Sequence, residues 1–373
     1  MRTFNAITRE RVWPTFLLTP TLGMFVTWAV RRYFPGWQGN GIPQTIAAAR
    51  LLKGGRLVEG LLSLRTAVGQ IALGGLALLG GFSVGREGPS VQIAASILRR
   101  AHDLLPNARA IRASDLVLAG GAAGIAAAFN TPLAGITYAI EELGRRFESR
   151  TSGVLLSTIM IAGLVAIALQ GNYRYFGQLT VESVGLGLVP AVPTCRVVCR
   201  LAGQAFSRIL LWPQRAAAGR LWTWRRRRPV AFAGLCGLAV ALLGWASNGI
   251  SLGSGYAVTA PAIDETIELR RYTPFARFAA TVVSYFSGIP GGIFAPSLAI
   301  GAAIGFGLSR WLHLGLATHP VVAICMVGFL AASTQSPITS AMIAMEMIDG
   351  HAVVISLMAT ALLDKAVRRR HRR

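Results

Sequence analysis

The alternation of hydrophobic and polar positions predicts a bundle of membrane helices. Long apolar stretches recur along the chain and are separated by short polar or basic segments. A straight span needs about 20 apolar residues, whereas several of these stretches are shorter or contain Gly and Pro. We therefore expect tilted and partly re-entrant helices, with irregular backbone only where protein or a cavity covers it. The stretches are Trp13–Val30, Thr66–Val84, Leu116–Ile140, Val154–Leu169, Val230–Trp245, Phe275–Phe286, Ile293–Leu308, Val321–Met342 and Ala352–Leu363.

Two parts of the sequence resemble each other, which indicates an internal duplication. The segment AAAFNTPLAGITYAIEEL (Ala126–Leu143) matches AASTQSPITSAMIAMEMI (Ala331–Ile348) at a spacing of 205 positions. The segment GREGPSVQIAASI matches GGIFAPSLAIGAAI, with Pro89 and Pro296 at a spacing of 207. Repeats of this kind in membrane transporters place the ion site where broken helices of the two halves meet.

A third and weaker match supports the duplication. GNGIP resembles GSGY, so that Asn40 aligns with Ser254 at a spacing of 214. Similarity alone does not say whether the repeat is inverted. The predicted organisation is a short basic N-terminus at 1–12, a first membrane repeat at 13–169, a linking segment with a further helix and a basic loop at 170–229, a second membrane repeat at 230–363, and a basic tail at 364–373.

The charge distribution changes what the net charge implies. The chain carries a formal charge of +22, although only 14% of its residues are charged and 53% are hydrophobic. The basic residues form short clusters between apolar stretches, which is the positive-inside pattern. Contact with anionic lipid then explains the charge without a nucleic-acid partner. We expect a multi-pass protein of a bacterial inner membrane, with a cytoplasmic C-terminus. The clusters are Arg31-Arg32, Arg99-Arg100, Arg145-Arg146, Arg225–Arg228 and the tail from Lys365 to Arg373.

Two features have a simple structural interpretation. The N-terminus resembles a signal peptide, but Trp13–Val30 is long and lacks a small-residue cleavage site, so we expect a retained span. The four cysteines form no CxxC pair. Cys195 and Cys199 share a helical face without a His or Cys pair to complete a zinc site, and we expect all four to be small buried residues. No metal site or cofactor is predicted.

The motif GREGP at Gly85 raises the question of why Glu87 lies inside an apolar chain. One interpretation is a helix start, with Pro89 in the first turn and the carboxylate near the positive end of the helix dipole. The other is an anion site at which the glutamate competes with the ion. Each repeated motif combines glycines, a small polar residue and a proline that opens an apolar helix. Such a turn exposes backbone N–H groups without placing a full charge, which suits an anion that must bind and also leave.

The chain resembles the CLC family of chloride channels and proton/chloride antiporters. Four motifs carry the resemblance in the family's order: GNGIP at Gly39, GREGP at Gly85, AAAFNTPLAGITYAIEEL at Ala126 and GGIFAPSLAIG at Gly291. The resemblance covers about Trp13 to Leu363. It implies an all-α polytopic membrane protein built on an inverted repeat of tilted and broken helices, and a homodimer with one pore per subunit.

The resemblance also assigns roles to residues. Glu87 matches the gating glutamate, whose carboxylate occupies an anion site and leaves on protonation, and this favours the second interpretation of GREGP. Glu142 matches the internal proton-transfer glutamate of the antiporters; taken alone, it would be a helix C-terminal carboxylate beside Arg145 and Arg146. Glu141 and Glu346 recur in both halves and are interpreted as structural. The implied anion-binding residues, mainly through backbone amides, are Asn40, Gly41, Ile42, Arg86, Gly88, Ile293 and Phe294.

The sequence departs from the family pattern in ways that affect the anion site. Asn40 stands where the family commonly has a serine; its amide can donate a hydrogen bond, but members that prefer other anions differ at this position. The family's late tyrosine, which binds the central anion, has no counterpart, since no tyrosine follows Tyr285. Only a dozen residues precede Trp13, where the family has two further helices. We expect either an in-frame helix pair upstream or a naturally short chain.

The sequence contains no HExxH, Walker loop or nucleophile elbow, so an enzyme is not predicted. The predicted function is transport of chloride, or of another small inorganic anion, gated by Glu87 and with some proton coupling through Glu142. The alternatives are an uncoupled anion channel and a variant selective for another anion such as nitrate or fluoride.

Overall fold

The computed structural model describes most of the membrane domain. The described residues are 13–34, 39–51, 60–104, 111–143, 149–171, 176, 188–214, 219–263, 268–312 and 318–348. The predicted N-terminal segment 1–12, the pair Arg145-Arg146, the stretch Ala352–Leu363 and the basic tail lie outside them. Within the described ranges the regular secondary structure is helical and no strand forms.

Fifteen α-helices follow one another in the described ranges. They are α1 (Trp13–Tyr33), α2 (Ile42–Arg50), α3 (Leu64–Leu79), α4 (Glu87–Leu104), α5 (Ala113–Phe129), α6 (Pro132–Tyr138), α7 (Ser149–Gln170), α8 (Leu188–Leu211), α9 (Arg220–Arg227), α10 (Pro229–Ala246), α11 (Tyr256–Ile263), α12 (Thr273–Ser287), α13 (Phe294–Leu312), α14 (Thr318–Thr334) and α15 (Pro337–Ile348). A π-helical turn at Ala139–Leu143 continues α6, and a 3₁₀ turn at Trp212–Gln214 continues α8.

Two of the long apolar stretches are interrupted in the same way, by a residue with a left-handed backbone and a proline two positions later. Asn130 has a left-handed backbone (φ 61°) at the end of α5, and α6 begins at Pro132. Gln335 (φ 71°) follows α14 in the same way, and α15 begins at Pro337. Proline is well tolerated in the first helical turn because its missing N–H would have no partner there. The stretches Leu116–Ile140 and Val321–Met342 are therefore helix pairs, as their internal prolines suggested.

The centre of the domain is formed by α5 and α14, which are equivalent in the two halves. Both helices are apolar on all sides and almost completely buried, as expected for helices surrounded by protein. Helix α4 packs on α5 in the first half, and α13 packs on α14 in the second half. The same pairing in both halves agrees with the duplication seen in the sequence.

Contacts between equivalent residues show that a pseudo-two-fold axis relates the two halves. Gly85 and Gly292, 207 positions apart, donate backbone hydrogen bonds to each other's carbonyl oxygens, both with N···O 2.7 Å. The Glu141 carboxylate accepts from the Thr339 N–H at 2.8 Å. In the equivalent contact with the halves exchanged, the Glu346 carboxylate accepts from the Ala134 N–H at 2.7 Å. Each half thus makes the same contact with the other half. Such reciprocal contacts require a pseudo-two-fold axis between the halves.

The outer helices expose apolar side chains. Leu17 on α1, Val68 on α3 and Leu169 on α7 are 60%, 67% and 81% exposed. Among the described helices, two contain windows long and apolar enough to cross a bilayer, Gly153–Gln170 and Pro229–Ala246. An exposed apolar surface of this kind is costly in water and is matched by lipid.

Candidate functional site

The site is built where the N-termini of α4 and α13 face each other. Each helix follows an extended segment, and the mutual hydrogen bonds of Gly85 and Gly292 join these segments just before the helices begin. Buried hydroxyls hold the first segment in place. The Ser83 N–H donates to the Ser284 hydroxyl at 2.9 Å, and the Ser83 and Thr281 hydroxyls are hydrogen-bonded at 2.9 Å. Two positive helix ends are thereby fixed around one point.

The Glu87 carboxylate occupies that point. Its side chain is fully buried and folds back over Gly85, so closely that a Cβ on Gly85 would overlap the carboxyl group. A Cβ on Gly292 would lie 2.5 Å from Oε2. The amides of Arg86, Glu87 and Ala295 surround the carboxylate, but neither carboxylate oxygen makes a well-aligned hydrogen bond with any described residue. A carboxyl group thus lies at two helix N-termini without a well-aligned hydrogen bond to any described residue.

The Gly39–Gly41 loop closes one side of the site. Gly39 and Gly41 have φ values of 106° and 83°, a conformation that glycine adopts without steric cost. The loop brings the backbone and side-chain oxygens of Asn40 directly against Gly88, where a Cβ would overlap them. Ile42 begins α2 and is buried. Gly253 and Gly255, at the same 214-position spacing as Asn40 and Ser254, also have positive φ, which supports the weakest of the three sequence matches.

The remaining predicted anion-binding residues lie on the same two helix ends. Ile293 and Phe294 form the start of α13, where Phe294 is buried. Arg86 precedes α4 and has an exposed side chain, so its possible contribution inside the site is its backbone amide. The structure therefore brings together the predicted residues of the GNGIP, GREGP and GGIFAPSLAIG motifs.

Glu142 lies at a second position, at the joint between α6 and α15. It belongs to the π-helical turn that follows α6, is half-buried, and accepts a hydrogen bond from the Ser336 hydroxyl. The neighbouring Glu141 caps α15 through the Thr339 N–H. Adjacent glutamates thus have different surroundings. Glu141 completes a helix end, whereas Glu142 contacts a hydroxyl at the start of the opposite helix.

Comparison with known proteins decides the family. The family model described as voltage gated chloride channel matches residues 22–369. The chain belongs to this family. The predicted all-α membrane fold of tilted and broken helices on an inverted repeat is confirmed by this match and by solved CLC structures of the same fold.

Two sequence relatives cover most of the CLC chain. The H(+)/Cl(-) exchange transporter ClcA of Cronobacter sakazakii is 32% identical over 93% of this chain and 74% of its own length. The transporter of the same name from Citrobacter koseri is 30% identical over 94% of this chain and 75% of its own length. These relatives are transporters.

Two solved structures share the fold. The structure of a slow cyanobacterial Cl-/H+ antiporter has a TM-score of 0.81 and 23% identity, and covers 98% of this chain and 86% of its own. That of a CLC-type fluoride/proton antiporter has a TM-score of 0.78 and 20% identity, and covers 96% of this chain and 87% of its own.

The CLC domain also contains polar residues that sequence reasoning missed. Tyr138 is a fully buried tyrosine on α6. Gln92, one turn beyond the site on α4, accepts from the Gln70 amide at 2.7 Å and donates to the Leu61 carbonyl at 2.8 Å. Arg277 is fully buried and donates to the carbonyls of the Gly253 loop. Arg277 could have been identified from the sequence, because a lone arginine inside the apolar α12 must have a hydrogen-bonding partner.

Proposed function

We propose that this protein exchanges chloride for protons across a bacterial inner membrane, with Glu87 as the gate. The observation that supports the proposal most strongly is the buried Glu87 carboxylate at the meeting point of two helix N-termini. Backbone amides at helix ends bind anions without holding them too tightly. The carboxylate therefore occupies the place that a chloride ion would take.

Gating follows from competition for this position. While Glu87 is ionised, its negative charge excludes a second anion at the same point. Protonation removes the charge, so the side chain no longer competes for the amides and chloride can enter. The side chain can leave because no described residue holds either oxygen in a well-aligned hydrogen bond. Asn40, Gly41, Ile42, Gly88, Ile293, Phe294 and the Arg86 amide would line the anion path.

Coupling requires a proton route from the other side of the membrane, and we assign its entry to Glu142. Its carboxylate is half-buried and contacts a hydroxyl, so it is placed to take up a proton from water. Asn40 in place of serine weakens the central anion site relative to the family pattern. We therefore expect coupling with more anions moved per proton than in a tightly coupled antiporter.

The membrane arrangement belongs to the same proposal. The two repeats, 13–169 and 230–363, would lie in the bilayer and the linking segment 170–229 between them. The basic clusters and the C-terminus would face the cytoplasm, where anionic lipid attracts them. The exposed apolar surface of the outer helices would contact lipid or the second subunit of a homodimer.

The experiment is ion flux from proteoliposomes with simultaneous recording of chloride and protons. An outward chloride gradient should drive protons uphill into the vesicles, and collapse of the gradient should stop this movement. Repetition with nitrate and fluoride gives the selectivity. Chloride flux with no uphill proton movement at any pH would make the protein an uncoupled channel and leave Glu142 with a structural role.

A further inference from the structure

Tyr138 is a buried polar side chain that the described part of the fold does not explain. Its exposed fraction is 0%, and its hydroxyl has no hydrogen-bond partner among the described residues. A buried hydroxyl without a partner destabilises a protein, because it has lost its hydrogen bonds to water. A phenylalanine would fill the same space at lower cost. Within the part of the chain that the structure describes, the oxygen atom is therefore left available to a bound ligand.

The surroundings of Tyr138 indicate which partner that is. Its ring packs edge-on against Phe294, with ring centroids 6.3 Å apart and planes at 78°. Phe294 is the first residue of α13, one of the two helix ends at the anion site. The phenol thus lies beside one of the helix N-termini assigned to the anion path.

Glu142 is the other neighbour. It follows Tyr138 by four residues, through the π-helical turn, and its charge acts on the phenol. The hydroxyl nevertheless makes no hydrogen bond to this carboxylate. The Tyr138 hydroxyl therefore lies near both Phe294 and Glu142. From there it could donate to an anion that has moved from the Glu87 position towards Glu142.

We propose that the Tyr138 hydroxyl donates a hydrogen bond to the transported anion. The proposal rests on the proposed function, and it assigns to the central anion site a side-chain donor from α6. Tyr138 is then an anion-binding residue, and the anion satisfies its hydroxyl when the position is filled. No covalent step is involved.

The test is calorimetric titration of the detergent-solubilised protein with chloride, comparing wild type with Tyr138→Phe. A hydrogen bond to a charged partner contributes enough that its loss should weaken chloride binding about 10-fold or more. The variant keeps the ring against Phe294, and it removes a group without a partner, so its Tm should not fall. Tyr285→Phe, a partly buried tyrosine on α12 outside the site, is the matched control and should bind chloride as wild type does.

Unchanged chloride affinity in Tyr138→Phe would overturn the proposal, and so would a fall in Tm with unchanged affinity, because it would show that the hydroxyl acts only in folding. The result is separable from the proposed function. If wild-type protein transports chloride and couples it to protons while Tyr138→Phe binds normally, only this inference fails. If wild-type protein neither binds nor transports chloride, the proposed function fails first.

Discussion

Gly85 and Gly292 are bound to each other by two backbone hydrogen bonds, both of 2.7 Å, across the pseudo-two-fold axis of the domain. The same two glycines leave room for the Glu87 carboxylate, since a Cβ on either would lie within 2.5 Å of it. One pair of residues thus joins the two halves of the fold and leaves room for the Glu87 side chain. The contact between the two halves and the position of the Glu87 carboxyl group therefore depend on the same two residues.

Glu87→Gln should remove the gate while keeping its volume. The amide carries no negative charge and cannot take part in proton exchange, so chloride flux should persist, lose its dependence on pH and move no protons. In wild type, by contrast, flux should rise as the pH falls, because protonation frees the site. Flux assays in proteoliposomes across a range of pH values measure both effects. Proton-coupled flux that is unchanged in the variant would contradict the assignment of Glu87.

Gly85→Ala should displace the Glu87 carboxylate without disturbing the fold. The nearest atoms to an added Cβ all belong to the Glu87 carboxyl group, and this flexible side chain can move away. We expect higher chloride flux with fewer protons moved per chloride. Gly75→Ala on α3, where the added Cβ meets no atom within 4 Å, is the control. In a Glu87→Ala background the Gly85 change should have no further effect; an equally large effect there would mean that it acts through the backbone.

Glu142→Gln should abolish proton movement and preserve most chloride flux, since the amide cannot carry a proton to the gate. The adjacent Glu141→Gln provides the matched comparison. It weakens the cap on α15 and should cost about 1 kcal/mol of stability, seen as a lower Tm, while the protons moved per chloride stay unchanged. Simultaneous chloride and proton recording with a thermal melt of each variant separates the two roles. Equal loss of proton coupling in both variants would contradict a specific role for Glu142. It would show that coupling depends on the structure of the joint between α6 and α15.

The sequence was sufficient for the features that depend on local chemistry. Pro89 and Pro296 mark helix starts because proline fits the first turn. The glycines of GNGIP and GSGY share left-handed backbones because only glycine adopts them freely. The equal spacing of Asn130 and Gln335 from their following prolines predicted equivalent breaks. Such features can be recognised within a few residues, which is why three motifs sufficed to detect the duplication.

Contacts between distant segments could not be predicted in this way. Cys195 and Cys199 were correctly expected to be buried, but Cys325 lies against them from α14, and the Cys199 thiol faces the Cys325 carbonyl at 3.5 Å. The Tyr138 hydroxyl is another example. The sequence does not show that Phe294 lies beside it, and this contact is what places the hydroxyl near the candidate site. Periodicity indicates which face of a helix is apolar and does not specify the helix that covers it.

Arg277 provides the last prediction, because its position tests how the second glycine loop is held. Its guanidinium is fully buried and donates to the Leu252 and Gly253 carbonyls, both at 3.1 Å. Arg277→Met would leave both carbonyls without this donor and should lower the free energy of unfolding by about 2 kcal/mol. Arg310→Met, which removes the largely exposed ion pair with Glu268, should cost less than about 1 kcal/mol. Denaturant unfolding in detergent measures the difference. Equal stability of the two variants would mean that hydrogen bonds within the loop, and not the buried arginine, fix its conformation.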